Sequence, residues 1–185
     1  MKSVLNQLVK SLIDSPIVPK GEYNYFVHPI TDGIPFIDPA VLREVATGMI
    51  RLLDLKDVQY IVAAEAMAIP IGVALSLMTD IPVNIIRKRM YGLPGEQEVM
   101  QETGYSKGRM YINGLSRGDR VVIVDDVIST GGTIKGILQT LSMMGVDVAG
   151  ICFAIKKGNP QIDVPYTYLV SIEVDDAVRI VDRTF

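Results

Sequence analysis

Apolar positions recur along this chain in two periods, and their alternation predicts the fold class. Residues 1–16, "MKSVLNQLVKSLIDSP", repeat apolar side chains at helical spacing, interrupted by Lys10 and Asp14. Residues 23–39, "YNYFVHPITDGIPFIDP", are rich in aromatics, Pro and Gly and read as loop. A helix should start at Asp38, with Asp38 as its N-cap and Pro39 at the first helical position. Leu42, Val45, Ala46, Met49, Ile50 and Leu53 form its apolar face at a 3.6-residue period. From there strands and helices alternate. Strands are predicted at 59–64, 82–86, 109–112, 120–125, 148–155 and 167–172, and helices at 67–79 and 133–144, the second ending at Gly145. Continuous apolar strands alternating with helices define an α/β protein with a mainly parallel sheet covered on both faces. Ligands of such sheets bind beyond the carboxyl ends of the strands.

The 185 residues are expected to form one domain, and 49% apolar content is ample for its core. A net charge of −3 provides no global basic field for nucleic acid. Cys152 is the only cysteine, so no intramolecular disulfide forms, and its apolar run "VAGICFAI" marks it as a buried small hydrophobe. The N-terminus lacks the unbroken apolar core of a signal peptide. Residues 61–79 resemble a membrane span in hydropathy only, since Glu65 and Pro70 lie inside. A cytoplasmic protein without a membrane partner is expected.

The densest chemistry lies in "VVIVDDVISTGGTIKGIL", residues 121–138. Val121–Val124 form a strand, so Asp125 and Asp126 fall at its carboxyl end. Ser129, Thr130, Gly131, Gly132 and Thr133 then lead into a helix whose apolar face is Ile134, Ile137, Leu138, Leu141 and Met144. Unpaired N–H groups and the helix dipole favour an anion there, and the glycines allow close backbone approach. The carboxylates should repel that anion. They suit hydroxyl donors, such as a ribose diol, or a hard metal ion. No Lys-Ser/Thr follows the glycines, so this is not a Walker A loop, and there is no G-x-G-x-x-G. A sugar carrying a 5-phosphate and a free diol satisfies both halves.

This signature resembles that of the type I phosphoribosyltransferases, which use 5-phosphoribosyl 1-pyrophosphate. The resemblance covers roughly residues 33–158 and implies their fold, a mainly parallel sheet flanked by helices with a small hood over the base site. The hood is expected from residues 1–37 and 157–185. "IIRKRMYGLPG" is similar to the adenine and xanthine enzymes, which implies that Arg87 and Lys88 meet the diphosphate. "IVAAEA" resembles their pyrophosphate loop and brings in Glu65 and Ala66, although Met67 and Ala68 stand where relatives often carry a basic residue. "GIPFID" resembles their purine-pocket segment. There Phe36 either stacks on the base or belongs to the core, and Ile37 replaces a frequent Arg.

Residues 87–108 carry little apolar period and no convincing helix, which in a compact domain marks a functional or disordered loop unless part of it pairs as strands. The resemblance implies a flexible lid over 87–113 that excludes water from a centre developing oxocarbenium character. "ETGY" places Glu102 where relatives carry a catalytic Glu, beside the alternative of a solvated charge. Lys107 and Arg109 either help neutralise the leaving group or are surface charges. Asp126 is the second catalytic candidate.

Lys156 and Lys157 follow the strand at 148–155. The resemblance implies a lysine donating to a purine O6, and a donor-only ammonium suits a 6-oxo group rather than a 6-amino group. The implied activity is Mg²⁺-dependent phosphoribosyl transfer to hypoxanthine or guanine, the metal held mainly by the substrate with no direct protein ligand, in a homodimer. An adenine-type scaffold with a 6-oxopurine pocket occurs among archaeal hypoxanthine/guanine enzymes. Adenine or xanthine transfer and a non-catalytic sensor of phosphoribosyl pyrophosphate are the alternatives. His28, the single histidine, is expected to hydrogen-bond within a loop rather than to bind a ligand.

Overall fold

The computed structural model describes residues 5–21, 23–102 and 107–185. Its centre is a six-stranded sheet of β3 (Tyr60–Ala64), β4 (Val83–Ile86), β7 (Arg120–Ile128), β8 (Asp147–Lys157), β9 (Thr167–Val174) and β10 (Val178–Arg183). The order is β10-β9-β8-β7-β3-β4, parallel throughout except for the edge strand β10. Both faces are covered, as continuous apolar strands require. One face packs against α1 (Asn6–Ile13), α3 (Pro39–Leu52) and α4 (Ala68–Thr79) through Leu8, Leu12, Val45, Met49, Ile71 and Leu75. The other packs against α5 (Gly132–Met144) through Ile134, Ile137 and Leu141.

Local chemistry accounts for the helix starts. Asp38 Oδ1 accepts the Ala40 N–H at 2.7 Å, capping α3 with Pro39 next in line. α1 has no cap of its own. Glu44 reaches it from α3, Oε2 accepting the Gln7 and Leu8 N–H groups at 2.8 and 2.9 Å. Pro29–Asp32 form the short helix α2. Among the described residues no helix is long and apolar enough to cross a membrane, and residues 61–79 divide into β3 and α4.

Several segments differ from the sequence pattern, β1 and the edge strand β10 among them. Residues 23–26 are not loop but β2 (Tyr23–Phe26), antiparallel to β1 (Ile17–Lys20), because "YNYF" has aromatic strand formers and a partner. Residues 87–108 are not loop throughout. β5 (Gln97–Glu102) pairs antiparallel with β6 (Lys107–Ile112), and the hairpin packs on α5 through buried Val99 and Met110. β7 does not stop at Asp125 but runs to Ile128, because β8 keeps pairing with it as far as Lys156.

Candidate active site

The chain passes from β3 through α4 to β4 on one side, and from β7 through α5 to β8 on the other. Adjacent parallel strands whose following loops diverge in this way leave a crevice at their carboxyl ends. β3 pairs with β7 only as far as Val124, whereas β7 continues beside β8. Asp125 and Asp126 therefore stand where one edge of β7 is released from the sheet.

Beyond them a cavity of about 110 Å³ is lined by Asp125, Ser129, Thr130, Gly132, Thr133 and Phe153, among others. At about 30 Å³ per water, it holds a few waters or one phosphate group. Gly131 is the N-cap of α5 in the left-handed region, φ 80°. A Cβ added there would lie 2.7 Å from Ile162 Cγ2, so both backbone and space demand glycine. No side-chain hydrogen bond caps α5 and no acid sits in its first turn; a long 3.4 Å contact joins the Gly132 N–H to Thr130 Oγ1. The N-terminus of the helix thus borders this cavity, the arrangement that binds phosphate.

The Asp126 N–H donates to Asp125 Oδ1 at 2.9 Å. Burial raises the pKa of both carboxyls, and Asp126 is raised furthest because the charge of Asp125 adds to burial. Such a pair gains from a ligand that supplies donors or positive charge. Among the described residues no three acids, cysteines or histidines cluster to hold a metal.

Glu65 follows β3 and its peptide with Ala66 is cis. Glu65 Oε2 accepts from Arg87 Nε at 2.9 Å and from the Lys88 N–H at 3.1 Å, which joins the ends of β3 and β4. These contacts, led by the Lys88 amide, hold its carboxyl below the ordinary pKa. Arg87, Lys88, Glu65 and Ala66 thus lie together on the β3–β4 side of the crevice, opposite the 129–133 loop.

Lys156 and Lys157 end β8, with Lys156 in register with Ile128 of β7. The Lys156 Nζ lies 5.1 Å from the Tyr168 ring centre, and the Lys157 Nζ lies 5.7 Å from that of Phe26 on β2. Phe36 is 68% exposed and does not belong to the core. Arg109 pairs with Glu98 across its own hairpin at 3.3 Å. Glu102 and Lys107 face each other in backbone register, but their side chains lie outside the described residues. Cys152 is buried and its thiol pKa is pushed up to about 11 by desolvation, so it remains a protonated core residue.

His28 is fully buried. Its Nδ1 accepts the Ile30 N–H at 3.1 Å, so the proton sits on Nε2, 2.9 Å from Ser11 Oγ. It is a hydrogen-bonded element of the fold at the start of α2. Sequence reasoning missed Ile162, whose contact with Gly131 spans the β8–β9 connection. It also missed Glu96, which accepts the Tyr91 and Gly92 N–H groups and Asn113 Nδ2, fixing the turn before the hairpin.

The phosphoribosyl transferase domain family matches residues 38–184, and the chain belongs to that family. Its fold is the type I phosphoribosyltransferase fold. The chain is 71% identical over 178 residues to the hypoxanthine/guanine phosphoribosyltransferase of Methanospirillum hungatei, covering 96% of this chain and 98% of that protein. It is 55% identical over 180 residues to the protein of the same name from Methanosphaerula palustris, covering 97% and 99%. The solved adenine phosphoribosyltransferase of Rhodothermus marinus matches with a TM-score of 0.70 at 21% identity, covering 89% of this chain and 96% of that one. That last likeness is one of fold.

Proposed function

We propose that the protein transfers the 5-phosphoribosyl group of 5-phosphoribosyl 1-pyrophosphate to a 6-oxopurine, hypoxanthine or guanine or both, giving IMP or GMP and pyrophosphate in purine salvage. The observation that carries the reading is the half-buried carboxylate pair at the end of the β7–β3 pairing, beside the start of α5, which no side chain caps. In this reading the loop 129–133 binds the 5-phosphate, and Asp125 and Asp126 accept from the ribose diol. Arg87 and Lys88 meet the diphosphate. As the bond from C1 to diphosphate lengthens, the carboxylates stabilise the positive charge developing on the ribose. A bound Mg²⁺ would be held mainly by the substrate's diphosphate and ribose hydroxyls, with no direct protein ligand, and would supply positive charge to the leaving group.

Lys156 and Lys157 are the candidate donors to the purine O6, and the exposed Phe36 is available to stack on the base. In this reading Glu102 serves in hydrogen bonding or proton transfer at the base. The hood comprises residues 1–37 and 157–185, and the β5–β6 hairpin belongs to a lid over 87–113. Outside the site, α4 has no charged residue, and Val73, Leu77 and Met78 are exposed on it. A helix apolar on all sides needs cover, and a second copy of the chain is the proposed cover.

The test is pyrophosphate release from phosphoribosyl pyrophosphate and Mg²⁺ with each base supplied separately, for the wild type and Lys156→Ala. Turnover with hypoxanthine or guanine and little with adenine is expected. Lys156→Ala should lower kcat/KM for those bases by about 10–100-fold, the effect of losing one charged hydrogen bond. Turnover with adenine alone would refute the oxopurine assignment. Saturable binding without turnover of any base would favour a sensor.

A further inference from the structure

Resting on the reading above, we propose that Glu65 does not bind the diphosphate itself but is a positioning residue. It holds Arg87 by Nε and the amide of Lys88, which leaves the terminal amino groups of Arg87 for the leaving group.

The geometry around Glu65 is over-determined. Its own N–H donates to the Ile86 carbonyl at 2.9 Å, so its backbone is tied to the end of β4. Arg87 is pinned in turn. Its N–H donates to the Tyr111 carbonyl at 3.0 Å, and its carbonyl accepts the Tyr111 N–H at 2.7 Å. With both backbones fixed, the direction of the Arg87 side chain is the remaining freedom. The 2.9 Å contact between Glu65 Oε2 and Arg87 Nε removes it. Among the described residues the two terminal amino groups of Arg87 make no hydrogen bond, and the side chain is 43% exposed. Such a fork pairs with two phosphate oxygens at once, which a lysine cannot do.

Charge supports the same assignment. A carboxylate in contact with a diphosphate repels it, whereas one behind an arginine orients the cation and offsets only part of its charge. The loop supplies no cation of its own, since Met67 and Ala68 follow Ala66. Arg87 and Lys88 therefore carry the positive charge on this side, and the placing of Arg87 matters correspondingly more.

The experiment compares wild type, Glu65→Gln and Glu65→Ala by steady-state kinetics with phosphoribosyl pyrophosphate varied. Calorimetric binding of Mg-pyrophosphate, which needs no turnover, accompanies it. Glu65→Ala should raise KM for phosphoribosyl pyrophosphate and Kd for pyrophosphate by about 10-fold or more, the scale of one charge-assisted hydrogen bond. KM for the base and the melting temperature should stay at wild-type values. Glu65→Gln should recover most of the affinity, because its amide oxygen still accepts from Nε. Wild-type behaviour of both variants would overturn the proposal. So would equal impairment of both with a raised Mg²⁺ requirement, which would make Glu65 a direct ligand. A wild type that turns over no purine base but binds pyrophosphate would refute the enzyme reading alone, with the binding comparison still deciding the role of Glu65.

Discussion

A Cβ placed on Gly136 of α5 would lie 2.0 Å from the carbonyl oxygen of Met100 on β5. The hairpin thus lies directly on the helix that begins at the 129–133 loop. Thr140 Oγ1 approaches the Glu98 carbonyl at 3.4 Å on the same helix face, and Val99 is buried against it. In an ordinary helix interior, Gly→Ala stabilises by about 1 kcal/mol. At this position the added methyl meets backbone, which cannot rotate away.

Gly136→Ala is therefore expected to destabilise by about 1–3 kcal/mol, the cost of overpacking. Limited proteolysis should cut the hairpin faster, and kcat/KM should fall if the hairpin serves as part of the proposed lid. Calorimetry and a protease time course measure both. A raised melting temperature with unchanged cleavage would show that the hairpin is not held by this contact.

The role proposed for the Asp125–Asp126 pair sets activity against stability. Burial raises both pKa values, so the native state binds more protons than the unfolded chain from about pH 4 upward to the raised values. Stability from this pair is present below the unfolded pKa and is lost as pH rises through the folded one. Asp126→Asn removes one half-buried charge and its repulsion with Asp125. It should raise the melting temperature at neutral pH, by about 2–4 °C for each kcal/mol regained. Its kcat/KM for phosphoribosyl pyrophosphate should fall by about 100-fold, in the range of a lost electrostatic contact to a developing charge. A variant that is both less stable and fully active would contradict this account.

The centre of the fold was legible because β7, its loop and α5 declare themselves locally. Val121–Val124 are a continuous apolar run, and Ile134, Ile137 and Leu141 repeat at the helical period. The cap at Asp38 was equally local. The β5–β6 hairpin was harder to read because, among the described side chains of "QEVMQE", only Val99 is buried, while Met100 meets α5 through backbone laid on Gly136. β10 shows a short alternation, Val178 and Ile180 against Arg179 and Val181, too brief to stand out. In the site, sequence spacing set Lys156 and Lys157 side by side, but one lies over Tyr168 and the other over Phe26. Ile162 was invisible for a different reason. Its contact with Gly131 depends on the path of a connection, and no local period encodes that path.

The hydrogen bonds of His28 predict an acid limit on stability. Burial lowers its pKa to about 4, opposed only in part by the nearby charge of Asp32. The ring must stay neutral because Nδ1 accepts the Ile30 N–H, and a proton there would set donor against donor. Between pH about 4 and 6.5 the unfolded chain binds a proton that the native state refuses. Stability from this residue is therefore full above pH 6.5 and is lost as pH falls toward 4, on the order of 3 kcal/mol in total. The carboxylate pair acts in the opposite direction, so the total curve mixes the two and a variant is needed to separate them. Asn at position 28 keeps an acceptor for the Ile30 amide and carries no titrating group. Denaturant unfolding of wild type and His28→Asn at several pH values should show the variant less stable at pH 7, where the Ser11 contact is lost. Its disadvantage should shrink as pH falls from 6.5 toward 4. Parallel curves across that range would mean that His28 is not the group that charges on unfolding.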